Sequence, residues 1–361
     1  MKALIVDTVS YDRAPYLQYY INACKEMDVP FDLFLWNRDM NGGLQKDKNI
    51  FTMNCVCPFG GSKLKKIFPM LRYRKALLQT IKNNQYTHLV LINTLAPVMI
   101  SSYILNRYKG KYILDIRDYT YEKISRYKKI ENQLIRNSNF TTISSRGFLK
   151  FIDNSSKIIV NHNISNIEHA IEEPTLRSRK PVRIGFVGSV RYPEENIKLI
   201  EGLRGKDFLL KYVGPEVAGC DLKGYCSKNN IINVIFQGKF KNHEKAAIYK
   251  EIDIINSIYG DFSLEVTTAI PNRYYDALLF KKPIIASKGT YLGELVRENG
   301  IGLVVDLNQD SVEDKLVDYI HQFNTSKFLI NCHRALNDIM IEQNNFYQYI
   351  KKFGSSRKFG G

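Results

Sequence analysis

"PNRYYDALLFKKPIIAS", residues 271–287, sets a proline and a short polar helix start directly before an apolar run, and its reading decides the fold. Pro271 suits a helix start, where its fixed φ fits and its missing N–H has no intrahelical partner to lose. Asn272 and Arg273 then fall in the first turn, with Asp276 one turn on from Asn272. The "KPIIAS" that follows reads as a short buried strand. A helix leading into a buried strand is one step of a parallel α/β sheet.

The same step recurs on both sides of that stretch. Upstream of residue 165 the strand candidates are "KALIVD", "PFDLFLWN", "THLVLINT", "KYILDIRD", "NFTTISS" and "KIIVNHN", with helical spacing between them, as at 14–27, 97–108 and 122–137. From residue 182 a second series begins with "VRIGFVGSV" and continues through "DFLLKYVG", "INVIFQG", "IDIINS", "KPIIAS" and "GIGLVV". Strands alternating with helices predict parallel sheets covered on both faces. Between the series, "IEEPTLRSRKP" (171–181) is polar, holds two prolines and lacks apolar periodicity, as a linker does. The expected division is a domain at 1–165, a linker at 166–181, a domain at 182–335, and a C-terminal helix and tail at 336–361.

A chain of 361 residues with 44% hydrophobic content can bury two such cores. Its charge is uneven. Residues 1–165 carry 25 Lys and Arg against 12 Asp and Glu, whereas the remainder carries 27 against 24. The first half is therefore expected to meet an anionic partner, a membrane surface or a nucleic acid. No RRM, KH or helix-turn-helix signature accompanies the charge, so nucleic acid is not the expected partner. Cysteines 24, 55, 57, 220, 226 and 332 show no paired CxxC spacing, and no HExxH occurs, so no metal site is expected. The start "MKALIVDTVSYD" places acids where a signal peptide is apolar, and no apolar run reaches the roughly 18 residues that span a bilayer. A reduced cytoplasmic chain, peripheral on any membrane, is the expectation.

"FVGSVRYPEENIKLIEGL" (186–203) reads as strand, tight glycine turn and helix. Gly188 allows close backbone approach to a ligand, the helix start favours an anion, and Arg191 is placed to clamp a phosphate. A plain structural turn fits that pattern equally well. Asp276 suits the two hydroxyls of a ribose, with Arg273 beside a diphosphate; a carboxylate that steadies a helix dipole, with Arg273 solvated, is the alternative. In the first half, "DIRD" ends a strand candidate. Asp118 is placed to orient or deprotonate an acceptor hydroxyl and Arg117 to meet an acceptor phosphate, with Asp12 and Arg13 added from "DTVSYDRAP". A structural Asp/Arg pair, with Asp115 capping the turn, stays open. His162 reads as a hydrogen bonder at the domain junction. The stretch 60–82 interleaves Lys63, Lys65, Lys66, Arg72 and Arg74 with Leu64, Ile67, Phe68, Met70 and Leu71, which suits a helix lying on anionic lipid. An ordinary core-facing helix with a solvated basic face is the alternative, and Pro69 is expected to break the stretch into two helices.

Taken together, "KALIVD", "YILDIRDYT", "GFVGSVRY", "INVIFQGKF", "PNRYYDALLFKKPIIAS" and "GELVRENGIGLVVD" resemble the GT-B glycosyltransferases, most closely retaining family 4 of bacterial polysaccharide synthesis. The resemblance implies two Rossmann-like domains facing across a cleft, the second holding a nucleotide sugar and the first the acceptor. It places Gly188, Ser189 and Arg191 beside the donor diphosphate, Gly238, Lys239 and Phe240 at the base, and Pro271, Asn272, Arg273 and Asp276 around ribose and phosphates. Asp118, Arg191 and Arg273 are the implied catalytic set. Two positions depart from the family pattern: Thr268 stands where a donor-sugar glutamate is common, and Asn196 near where a phosphate lysine is common, Lys198 falling later. The implied activity is transfer of a hexose, with retention, from a donor expected to be a UDP-sugar to a lipid-linked saccharide of a capsule, O-antigen or exopolysaccharide. It implies no metal and no cofactor, and a place on the inner face of the cell membrane. A GT-B nucleotide-sugar 2-epimerase and a non-catalytic GT-B partner are the alternatives.

Overall fold

The computed structural model describes residues 1–38, 40, 48–57, 64–118, 124–152, 157–164, 176, 180–260 and 263–355. The chain divides into two compact units, Met1–His162 with Ile341–Gly361, and Asn163–Met340. Lys63 and most of the expected linker lie outside the described residues.

In the first unit, β1 (Ala3–Val6), β2 (Phe31–Asn37), β3 (Ile50–Asn54), β4 (His88–Ile92), β5 (Tyr112–Ile116), β6 (Phe140–Ile143) and β7 (Ile158–Val160) form one sheet. Its order is β3-β2-β1-β4-β5-β6-β7, and every pairing is parallel. The helices are α1 (Leu17–Glu26), α2 (Leu64–Asn83), α3 (Leu95–Met99), α4 (Ser101–Arg107) and α5 (Ser125–Asn137). All four residues of β1 and all five of β5 are buried, as parallel strands covered on both faces must be. The edge strand β3 was not foreseen. Its "IFTMN" is only partly buried and lacks the continuous apolar run that marks its neighbours.

The second unit holds β8 (Val182–Val187), β9 (Phe208–Val213), β10 (Val234–Gln237), β11 (Ile254–Ser257), β12 (Ile284–Ser287) and β13 (Gly302–Val305). Their order is β10-β9-β8-β11-β12-β13, again all parallel. Around them lie α6 (Pro193–Gly202), α7 (Leu222–Lys228), α8 (Lys245–Lys250), α9 (Leu264–Thr268), α10 (Asn272–Leu279), α11 (Tyr291–Asn299) and α12 (Val312–Gln322). In each sheet the winding reverses once, between β1 and β4 and between β8 and β11. In open α/β sheets ligands bind beyond the carboxyl ends of the strands at that reversal. The residues after β1, β4, β8 and β11 are therefore the ones to examine.

One helical expectation needs correction. Pro69 does not break the basic stretch, because α2 is a single helix of 20 residues with Pro69 inside it. Pro69 is its sixth residue, so the hydrogen bond it removes belongs to Lys65, within the first turns, where the ladder has barely begun.

A last helix, α13 (Thr325–Ser355), starts in the second unit and from Ile341 belongs to the first. There Phe346, Ile350 and Phe353 are buried among Leu17, Tyr20 and Ile21 of α1 and the sheet, with the Phe346 ring edge-on to Tyr20 at 5.6 Å. Beside the chain's departure from this unit, the His162 imidazole meets Glu342 Oε2 at 2.6 Å, and Arg146 pairs with the same carboxylate. Burial alone would raise the Glu342 carboxyl, but the bonds and charges of His162 and Arg146 overcome it and hold the group below its ordinary value. The backbone N–H of His162 donates to Gln343 Oε1 at 3.0 Å. Removing the fully buried Phe346 ring tests how far this unit depends on α13. Phe346→Ala is expected to destabilise the first unit by about 3–5 kcal/mol, read as a shift of its denaturant-unfolding transition; an unmoved transition would contradict the docking.

Candidate functional site

The second unit gathers its polar side chains at the sheet reversal. β8 ends at Val187, and Gly188 follows with φ of +134°, beside Gly214 with φ of +137° at the end of β9. Both conformations favour glycine. A Cβ on Gly214 would lie 2.0 Å from the Gly188 carbonyl oxygen, so the two turns pack backbone to backbone. Directly below sits Arg273, whose guanidinium would lie 3.2 Å from a Cβ on Gly188.

Arg273 is held by groups from three segments. Its Nε donates to Ser257 Oγ (3.2 Å) at the end of β11, one Nη to the Val187 carbonyl (3.2 Å) at the end of β8, and the other to Tyr259 Oη (2.7 Å). The Phe186 ring lies 3.9 Å from the guanidinium carbon. Arg273 is 7% exposed and forms no ion pair with a carboxylate among the described residues. Burying an uncompensated ion costs several kcal/mol, so a cation kept this way at a strand end marks a place where an anion is welcome.

Arg191 stands exposed three residues after Gly188, and its guanidinium has no partner among the described residues. The loop that carries it is fixed from below by Asn196. That side chain is fully buried, donates to the carbonyls of Arg191 (2.8 Å) and Tyr192 (3.0 Å), and accepts from Tyr212 Oη (3.0 Å). Asn196 therefore ties the loop down where the resembled family carries a cation. Lys198 faces elsewhere, bonded to Glu195 (2.9 Å) and Asn308 (2.8 Å). Tyr192 takes a left-handed φ of 58° and leads into Pro193 at the first position of α6. Ser189 is exposed on the same turn.

Asp276 lies one turn beyond Arg273 on α10, 2% exposed. Both of its oxygens lie 3.0 Å from Lys245 Nζ, and Tyr249 Oη donates to it at 2.8 Å. Burial, then the Asp276 charge, pushes the Tyr249 phenol well above its ordinary value, so it stays a donor. Lys245 and Tyr249 lie four apart on α8 and were missed in the sequence, where only the i, i+4 spacing in "KAAIY" signals that they share a face. The exposed Gly238 and Lys239 and the half-buried Phe240 form the loop that runs from β10 towards α8. Pro271 caps α10, and Asn272 accepts a bond from Asn163 at 2.7 Å. Thr268 ends α9 fully buried, its hydroxyl bonded to the Leu264 carbonyl at 2.5 Å.

The first unit carries a second polar group at its own reversal. Asp7, immediately after β1, is fully buried and accepts from the Thr8 N–H (2.6 Å) and Tyr16 Oη (3.0 Å), with Asn93 Nδ2 at 3.4 Å from the end of β4. Asp115, within β5, accepts from Tyr20 Oη (2.7 Å) and from Arg117 Nε and Nη (3.0 and 2.9 Å). Arg117 is 7% exposed, lies 4.6 Å from the centre of the Tyr16 ring, and also donates to the Asn161 carbonyl (3.3 Å). Asp118 is exposed just past the strand, and Asp12 and Arg13 are exposed on a 3-10 turn at Tyr11–Arg13. Asn93 Oδ1 and Asp115 Oδ1 are buried with no hydrogen-bond partner among the described residues. Two such acceptors at neighbouring strand ends suit a ligand that brings hydroxyl donors.

Burial drives the Asp7 carboxyl up to about 7, against the hydrogen bonds of Tyr16 and Thr8. An acid raised in the folded state binds more protons folded than unfolded, so its contribution falls as pH rises from the unfolded value of 3.8 through about 7. Asp7→Asn is therefore expected to gain stability relative to the parent between pH 5 and pH 8, by about 3 kcal/mol at most. Thermal unfolding at both pH values measures it, and an equal difference at each would refute the shift.

No protein-family model matches the chain, and no curated protein matches it in sequence. Among solved structures it is similar over nearly its whole length to several proteins at low identity. Sucrose-phosphate synthase from Thermosynechococcus elongatus superposes with a TM-score of 0.71 at 12% identity, covering 99% of this chain and 100% of that one. The HepE protein of Anabaena, in complex with UDP, gives 0.67 at 16% identity, covering 98% and 100%. The apo lipopolysaccharide outer core galactosyltransferase WaaB gives 0.66 at 14% identity, covering 97% and 100%. Two parallel sheets, each reversed once, with polar groups gathered at the strand ends and this set of structural neighbours, give the chain the GT-B fold of glycosyltransferases.

Proposed function

We propose that the chain transfers a sugar from a nucleotide donor, UDP-linked, to a lipid-linked saccharide. The observation that carries the reading is Arg273, a buried cation without a carboxylate partner among the described residues, set under a glycine turn beside the exposed Arg191. Departure of a nucleoside diphosphate builds negative charge on its phosphates. Two guanidiniums and the N-terminus of α6 offset that charge where it develops, which makes the proposed transfer independent of a metal and of a cofactor. Ribose hydroxyls are proposed to donate to Asp276, which Lys245 and Tyr249 hold in place. The base rests on the loop Gly238–Lys239–Phe240. HepE is solved in complex with UDP and with UDP-glucose, which supports a donor of this class.

On the acceptor side, exposed Asp118 is the proposed base for an incoming hydroxyl, with exposed Asp12 and Arg13 as further proposed acceptor contacts and Arg117 as the buried support fixed by Asp115. Retention of configuration and a hexosyl donor follow the family resemblance. A non-catalytic role is the second reading, favoured by Thr268: its hydroxyl is turned back on Leu264, so that position offers the donor sugar no carboxylate.

Membrane contact rests on α2. Ile67, Phe68 and Leu71 are 49%, 79% and 55% exposed, among Lys65, Lys66, Arg72 and Arg74. Apolar residues left in water on a basic helix suit insertion at an anionic bilayer. No helix among the described residues is long and apolar enough to cross a membrane. Capsule, O-antigen or exopolysaccharide synthesis on the cytoplasmic face of the cell membrane is the proposed setting.

Nucleotide sugars screened for protection against thermal unfolding identify the donor, since a ligand bound to the native state raises its stability. Arg191→Ala is expected to weaken donor binding by about tenfold to a hundredfold, the range of a charge-assisted hydrogen bond; calorimetry that shows equal binding by Arg191→Ala and Asp276→Ala refutes the site. Release of free UDP with an acceptor separates transfer from epimerisation of the donor, and binding without turnover would favour the non-catalytic reading. For the membrane, Lys65→Glu with Lys66→Glu and Arg72→Glu is expected to abolish sedimentation with anionic vesicles, at roughly 1 kcal/mol per charge. Undiminished sedimentation at low salt would end that claim.

A further inference from the structure

At the opposite pole of the first unit, around the amino ends of β4, β5 and β6, lies an open groove of about 1230 Å³. It is larger than the roughly 300–1,000 Å³ of an ordinary small-molecule site. Arg74 and Lys82 of α2, Arg107 at the end of α4, and Lys111 just before β5 line it, and no Asp or Glu does. None of these four cations forms an ion pair among the described residues. The carboxylate closest in bonding, Asp32, is already taken by Lys2 (3.0 Å) and by Tyr86 Oη (2.6 Å).

Helix ends explain part of this charge. α2, α4 and α5 all finish at this pole, and each carboxyl end carries about half a negative elementary charge. Lys82 and Arg107 sit in such last turns. With α13, whose last turn brings Phe353 to the groove, four ends balance about two of the four positive charges, which leaves roughly two unmatched around one cavity. The floor is ring-rich: Tyr86, Tyr108 and Phe353 are 4%, 7% and 4% exposed, and the half-buried Tyr103 lies 5.8 Å beneath Lys82. Cations above a ring-lined floor hold an anionic group attached to a flat or apolar body.

We propose that this groove binds an organic phosphate, its phosphate among Arg74, Lys82, Arg107 and Lys111 and its body against Tyr103 and Leu78. The site is separate from the donor reading, which concerns the other unit. The phosphate can be free in solution or be a lipid headgroup, because along α2 residues 67, 71, 74, 78 and 82 follow helical spacing on one face, from exposed Ile67 and Leu71 to the groove.

Lysine acetylation mapped by mass spectrometry, with inorganic pyrophosphate and separately with phosphatidylglycerol or phosphatidylcholine vesicles, tests the site. The expected result is protection of Lys82 and Lys111, lost in Arg74→Glu/Arg107→Glu, whose affinity falls by about tenfold to a hundredfold; both changes are at exposed positions and leave the two lysines in place to be read. Protection by pyrophosphate assigns a soluble phosphate. Protection by phosphatidylglycerol vesicles alone assigns a headgroup. An Ile67→Ser/Phe68→Ser/Leu71→Ser variant that keeps pyrophosphate protection shows that the groove stands even where the membrane face fails. Lack of protection by any probe, or protection of Lys82 and Lys111 that survives undiminished in Arg74→Glu/Arg107→Glu, overturns the proposal.

Discussion

The guanidinium of Arg273 joins the ends of β8 and β11, the two strands between which the second sheet reverses its winding. At that reversal Arg273 donates to the last carbonyl of β8, on Val187, and to the Ser257 hydroxyl at the end of β11, while bringing a positive charge. Its position constrains what surrounds it. Gly188 and Gly214 are glycines because the turns above must come close, and Phe186 and Tyr259 flank the plane of the cation. The same residue that closes the fold thus sets the electrostatics of the pocket.

The two sheet reversals are polarised differently. Among the described residues, a buried cation in the second unit lacks a carboxylate, whereas in the first a buried acid, Asp7, lacks a cation and is held protonated by burial up to about neutrality. Arg117 does not relieve it, because Asp115 holds that guanidinium at β5, two strands along the sheet from β1. What the first unit offers a ligand is therefore acceptor atoms, on Asn93 and Asp115, with the exposed Asp118 beside them in sequence. Such a surface suits hydroxyl groups, and the reversal in the second unit suits phosphates.

Much of the fold was legible because burial on both faces forces unbroken runs such as "KALIVD" and "KPIIAS", whose length and spacing need no partner to be recognised. β3 escaped because an edge strand is half solvated and its composition shows it. Pro69 misled because its effect depends on its distance from the helix start, which the sequence leaves open. In the pocket, Arg273 and Asp276 were readable as neighbours on one turn. Lys245 and Tyr249, which engage Asp276 from 31 and 27 residues away, were not.

By itself the sequence determined two parallel α/β units, a basic first half, and an Arg/Asp pair at the start of one helix. These follow from local rules: side-chain periodicity, the φ of proline and the count of charges. Only the tertiary structure decided which charges are matched. It paired Arg117 with Asp115 and Asp276 with Lys245, left Arg273 without a carboxylate among the described residues, and gathered Arg74, Lys82, Arg107 and Lys111 around a groove without acids. The reason is physical: a charge is neutralised by what lies within a few ångströms in space, and folding, not spacing along the chain, sets that distance.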